Sequence, residues 1–184
     1  IVKTELVTGK VVAKYEGIMI DHANDLTYNP KTKEILACHN SPRNQLISIF
    51  VAETMAYKET KTIRHSIYSI EYDEFEDCYW VGISGSYDFV RYDSKLKGYG
   101  SQIHGYENGF TKQGMDADEN YIYFVLYNTN CIAIYNKKGE YIRQVDLPVT
   151  KGEPENISHV GNLFYIVYNN SSWTGGIVYE VAIT

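Results

Sequence analysis

The chain has 184 residues and a net charge of −6, which excludes the basic surface a phosphate backbone requires and so excludes nucleic acid as a partner. Its hydrophobic content of 44% supports one sizeable core and excludes a disordered chain. No apolar stretch approaches the ~20 residues of a membrane span, and no Lys/Arg run suits an anionic membrane surface.

In chain order, the first predicted element is a hairpin from Ile1 to Tyr15, turning at Thr8-Gly9. A four-residue signature then opens each of four similar units: Asn24-Asp25-Leu26-Thr27, Tyr68-Ser69-Ile70-Glu71, Gln113-Gly114-Met115-Asp116 and Glu155-Asn156-Ile157-Ser158. Each signature leads through a polar turn, such as Asn29-Pro30-Lys31-Thr32-Lys33, into an apolar run such as Tyr121 to Leu126. Third strands follow at Ile47 to Phe50, Phe89 to Tyr92, Ile132 to Tyr135 and Ile177 to Glu180. A more polar fourth strand completes the first three units, clearest in Tyr141 to Val145. The stretch Val51 to Lys61 does not sustain a helical period and reads as a long turn plus an edge strand.

The signatures recur every 42–45 residues. That interval, filled with short strands, predicts an all-β fold: a single β-propeller domain of four-stranded antiparallel blades. Blades are expected near residues 24–63, 68–104, 113–147 and 155–184, with the hairpin of residues 1–16 completing the last or a preceding blade. In one arrangement Val11 to Tyr15 pairs beside Ile177 to Ala182 and closes the ring, since closure removes exposed edges. In the other, missing blades or another chain complete the propeller. The chain begins at Ile1 rather than Met, as a processed or truncated chain would.

The signatures at His22 to Pro30 and Gln113 to Asp118 resemble those of the six-bladed propellers that include NHL-repeat proteins and gluconolactonase-like (SMP-30-like) enzymes. The resemblance covers nearly the whole chain at the level of blade pattern. It implies a divalent metal in the central channel, with Asn24, Asp25, Glu155 and Asn156 at the comparable positions. Two carboxylates and two amides suit Ca²⁺, and a Zn²⁺ site is the other option. Tyr68-Ser69 and Gln113-Gly114 are poor ligands, so the leading expectation is no cofactor. Asp and Asn at strand starts also cap turns and bond local backbone.

Innermost strands line a propeller axis, so the signatures and neighbouring loops should share one mouth. The expected ligand-binding set is His22, Asn24, Asp25, His39, His65, Tyr68, Gln113, Tyr127, Glu155, Asn156 and Trp173. His22, His39 and His65 have no metal-type spacing and read as separate loop histidines. Ser69, His65 and Asp25 have the residue types of a catalytic triad without a nucleophile elbow. Trp173 stands in a polar loop, as a sugar- or peptide-stacking ring would. The acidic turns Glu71 to Asp77 and Asp116 to Glu119 read as solvated hairpins on the opposite face. Cys38, Cys78 and Cys131 lack any paired spacing and read as buried structural thiols.

The expected function is a non-enzymatic binding module that presents this face to a glycan, peptide or protein ligand. The alternatives are a divalent-metal-dependent, lactonase-like hydrolase and a structural domain of a larger assembly. Asn156-Ile157-Ser158 and Asn170-Ser171-Ser172 would accept N-glycans in a secreted or extracellular setting, toward which the expectation leans.

Overall fold

The computed structural model describes residues 1–17, 20–105, 112–149, 152–169 and 175–183. These contain sixteen strands and no helix. Strands β1 (Val2–Thr4) and β2 (Val11–Lys14) form a separate hairpin. Blade 1 is β3 (Asp25–Asn29), β4 (Glu34–Cys38), β5 (Leu46–Val51) and β6 (Tyr57–Thr62). Blade 2 is β7 (Ile67–Asp73), β8 (Cys78–Ile83) and β9 (Phe89–Asp93). Blade 3 is β10 (Lys112–Ala117), β11 (Tyr121–Leu126), β12 (Cys131–Asn136) and β13 (Tyr141–Asp146). Blade 4 is β14 (Glu153–Val160), β15 (Leu163–Asn169) and β16 (Gly176–Ala182). Every pairing within a blade is antiparallel between consecutive strands.

The inner strands stand side by side, β3 against β7, β7 against β10 and β10 against β14. Apolar residues alternate across the strands, so each pair of neighbouring blades shares a core. Leu36, Ile47 and Ile49 of blade 1 meet Ile70, Tyr72 and Val81 of blade 2. Trp80 and Phe89 meet Met115, Phe124 and Tyr135 between blades 2 and 3. Phe89 is wedged at 5.2 Å, centroid to centroid, from both Phe124 and Tyr135. Burying one such ring contributes about 2–3 kcal/mol. Tyr123 and Val125 meet Ile157, Phe164 and Ile166 between blades 3 and 4.

The turn after each of the first three inner strands is held by one side chain at the same place in the repeat. Asn29 Oδ1 accepts from Lys31 and Thr32 N–H, Asp73 Oδ1 from Phe75 and Glu76, and Asp118 Oδ1 from Asn120 and Tyr121. These are Asx turns.

The expectation of solvated acidic hairpins therefore needs correction. Asp73 is fully buried, accepts from Trp80 Nε1 at 3.0 Å and pairs with Lys137. Asp116 is also buried and accepts from Ala117 N–H while its other oxygen meets His159 Nδ1 at 2.6 Å.

Two further expectations change. Strand β2 pairs with β1 and not with β16, so the terminal strands do not close a blade. The hairpin lies beside blade 1 instead. The Tyr15 and Phe50 rings meet at 5.9 Å, and a cavity of about 590 Å³ runs between Val2 of the hairpin and Leu26, Tyr28 and Met55. Among the described residues, blade 2 has no full fourth strand, and the bridges Phe89–Ile103 and Tyr92–Tyr99 stand in its place. Val51 to Lys61 is a turn followed by the edge strand β6, as its lack of helical period implies. All three cysteines are buried and free.

Candidate functional site

At each signature of blades 2, 3 and 4 the inner strand slips in register against its partner. The slip leaves Tyr68 unpaired between Ile67 and Ser69, Gln113-Gly114 between Lys112 and Met115, and Glu155 between Pro154 and Asn156. A β-bulge bends the strand and re-aims side chains and carbonyls. Here it turns two carbonyls to the axis, where Asn24 Nδ2 donates to Tyr68 O and to Gln113 O, each at 3.0 Å.

One residue deeper, Asp25 acts as a hub. Oδ1 accepts from Leu26 N–H at 2.8 Å and from the Asn156 amide, while Oδ2 accepts from Ile70 N–H at 2.9 Å and Met115 N–H at 3.3 Å. One buried carboxylate thus ties all four blades together. Burial pushes its pKa well up, and the four donors offset that only in part. Thr27 continues the pattern by accepting from Tyr72 N–H at 2.9 Å. Blade 1 therefore supplies the side chains that satisfy the unpaired inner edges of its neighbours.

The small residues opposite make room for this hub. A Cβ on Gly114 would lie 2.7 Å from Asn156 Cα, so glycine lets Asn156 reach across. A Cβ on Gly82 would lie 2.2 Å from Ser69 Oγ, which fills the same position in blade 2.

The metal set drawn from the resemblance does not fit a cation. The lone pairs of Asp25 face N–H donors, and Asn24 and Asn156 commit their NH₂ groups to cross-blade bonds. A cation in that position would face donors rather than acceptors. Among the described residues, the acidic group that comes closest together is Asp73, Glu76 and Cys78. There Asp73 is already filled by Phe75 N–H, Glu76 N–H, Trp80 and Lys137.

Above the hub lies the axial mouth. Tyr68, Glu153 and Glu155 are half-buried, and His22 is exposed on the loop entering β3 at a φ of 28°. The Gln113 amide donates to Glu153 Oε1. Burial raises the Glu155 pKa, the charge of Glu153 raises it further, and Asn169 and His22 pull it back. Burial also raises the Tyr68 pKa, with Glu153 and Glu155 adding to the effect. The effects of Glu153 and His22 on Glu155, and of both carboxylates on Tyr68, put these four residues in one electrostatic neighbourhood. Gln113 is 2% exposed, and its Oε1 has no hydrogen-bond partner among the described residues.

The other expected site residues stand elsewhere. His39 is buried within blade 1, with Nδ1 accepting from Asp21 N–H at 3.3 Å and Nε2 2.8 Å from Ser48 Oγ. His65 Nδ1 lies 2.6 Å from Tyr92 Oη, beside the Tyr99 ring. The three histidines therefore form no cluster. Ser69 Oγ has no partner, Asp25 is filled and His65 faces Tyr92, so the triad is not assembled. Tyr127 is exposed on the β11–β12 turn. Trp173 and the Asn170 glycosylation pattern lie outside the described residues.

Sequence reasoning passed over two residues. Glu153 was legible only as an acid two positions before a signature. Lys112 is a buried lysine whose amine donates to Ser86 O at 2.8 Å and Asp88 O at 2.9 Å. Burial pushes its pKa down to about 7, and it secures the loop of blade 2.

No protein-family model and no curated protein matches the chain. Solved structures do match in fold. Hydrazine synthase of Kuenenia stuttgartiensis aligns over 95% of this chain and 49% of its own, at 12% identity and a TM-score of 0.61. Glutaminyl cyclase of Myxococcus xanthus aligns over 87% of this chain and 73% of its own, at 7% identity and a TM-score of 0.65. The Cps50 (Swd1) β-propeller domain of Myceliophteria thermophila aligns over 88% of this chain and 53% of its own, at 15% identity and a TM-score of 0.55. The chain thus spans about half the length of two of these three. At such identities the likeness concerns fold alone, and with the four-fold signature and the antiparallel blades it makes this chain a run of β-propeller blades.

Proposed function

We propose that the chain is a non-enzymatic binding module whose axial mouth receives a small polar ligand or the end of a peptide. The observation that carries this is the convergence of three bulges on one mouth. The bulges fall at Tyr68, Gln113-Gly114 and Glu155, and Glu153 and His22 act on Glu155, which supports a shared use of these residues. Bulges cost ladder bonds, and their repetition at the same end of the axis favours a use for the residues they present. The half-buried Tyr68 offers an apolar face with a polar tip, and the amides and carboxylates around it supply orientation. The lactonase-like reading has less support, because Asp25, one of the two carboxylates it relies on, is occupied by cross-blade hydrogen bonds.

A structural or assembly role has one observation in its favour. Blade 4 ends at β16, and Leu163, Val167, Ile177 and Val178 are exposed there. Further blades or a second chain would cover that face.

Binding of the intact chain to glycan and peptide arrays tests the main reading. Hits should appear on one array and be lost in Tyr68→Ala at unchanged melting temperature. No hit on either array, or hits indifferent to Tyr68→Ala, would end it.

A further inference from the structure

Two carboxylates held near each other in a half-buried mouth are short of a positive charge. Glu153 and Glu155 are such a pair, two residues apart across the β14 bulge. Their amide neighbours each contribute one N–H, Gln113 to Glu153 and Asn169 to Glu155, and leave further lone pairs open. A third acceptor, Gln113 Oε1, has no partner among the described residues, while the Nε2 of the same amide bonds Glu153. The Tyr68 ring stands alongside, within the field of both carboxylates.

Resting on the binding reading above, we propose that the mouth takes a primary ammonium group. Glu153, Glu155 and Gln113 Oε1 would hold its three N–H donors, and the Tyr68 ring would pack against its carbon stem.

Three acceptors match the three protons of an –NH₃⁺ group. A hard divalent cation wants six or more oxygens, and the described mouth residues offer two carboxylates and one amide oxygen. An aromatic face beside the carboxylates favours an organic cation, which gains from the ring as well as from the charges. The overall charge of −6 draws cations toward the chain. The ammonium can belong to a free alkylamine or to a peptide N-terminus.

Calorimetric titration of the whole chain at low salt separates these sources. The probes are putrescine, trialanine amide, N-acetyl-trialanine amide and CaCl₂. Saturable binding of putrescine alone supports a small amine, and binding of trialanine amide supports a peptide end. In either case acetylation should abolish binding, and E155Q should weaken it at least tenfold while E153Q repeats the loss. No saturation with either amine, undiminished binding in both variants, or tight CaCl₂ binding that excludes putrescine would overturn the proposal. Amine titrations that fail, alongside array hits that still depend on Tyr68, would show that the ligand class is wrong and the binding site right.

Discussion

The Asp25 hub and the mouth above it are built from the same residue types, on the same strand starts, one residue apart. At the hub every acceptor is filled: two Asp25 oxygens receive four N–H donors drawn from four blades. At the mouth Glu153 and Glu155 have fewer donors than lone pairs, and Gln113 Oε1 has none. Saturation, rather than composition or acidity, separates a structural polar cluster from one that can accept a ligand. The same contrast explains why the signatures diverge. Blade 1 donates the bridging side chains Asn24, Asp25 and Thr27, and Gly114 of blade 3 leaves space for Asn156 of blade 4 to reach Asp25.

Removing the hub should have the largest effect. Asp25→Ala orphans the buried N–H groups of Ile70 and Met115 and frees the Asn156 amide. A loss of about 3–5 kcal/mol in urea unfolding is expected, since each buried unsatisfied donor costs about 1–3 kcal/mol. A loss below about 1 kcal/mol would remove the distinction between hub and mouth. Gly114→Ala should follow, at about 1–3 kcal/mol, because the new methyl meets the Asn156 backbone 2.7 Å away and cannot be rotated clear. If that variant is as stable as the parent, Asn156 does not need to cross the axis.

The smallest effect should come from the mouth, with the opposite sign. Glu155 has a folded-state pKa raised above its ordinary value, so the folded chain holds that proton more tightly than the unfolded chain does. Its favourable contribution is complete below the unfolded pKa and is lost as pH rises through the folded pKa. Glu155→Gln should therefore match the parent near pH 4 and become more stable by under about 1 kcal/mol as pH approaches 7, given the partial exposure of the site. Urea midpoints measured across that range decide it. A variant less stable at pH 7 than the parent would place Glu155 with the hub.

Much of the fold was legible from residue order. The third strands at Ile47, Phe89, Ile132 and Ile177 stand where the apolar runs place them; β5 and β12 are central and buried, whereas β16 is an edge strand and largely exposed. The mouth was legible in part. Tyr68, Gln113 and Glu155 reach it because they belong to the repeat, whereas His39 and His65 turn inward to Ser48 and Tyr92. Nothing in a loop histidine's own neighbourhood tells these outcomes apart, since the partner lies in another strand or another blade. The bulges were invisible for a similar reason. A register slip depends on the strand opposite, and Tyr68 looks like an ordinary strand residue until Ser69 is found facing Gly82.

By itself the sequence determined the repeat, the antiparallel blades, the core-facing runs and the end of the axis where polar residues gather. These follow from period, alternation and turn chemistry, which are local properties. Only the tertiary structure decided which polar residues are occupied. Asp25 and Glu155 are both acids at a strand start, yet Asp25 is filled by donors from blades 45 to 131 residues away in the chain, while Glu155 meets Asn169 of its own blade. Hydrogen-bond satisfaction is a property of space rather than of order along the chain, so the hub and the open mouth became distinct only when the blades came together.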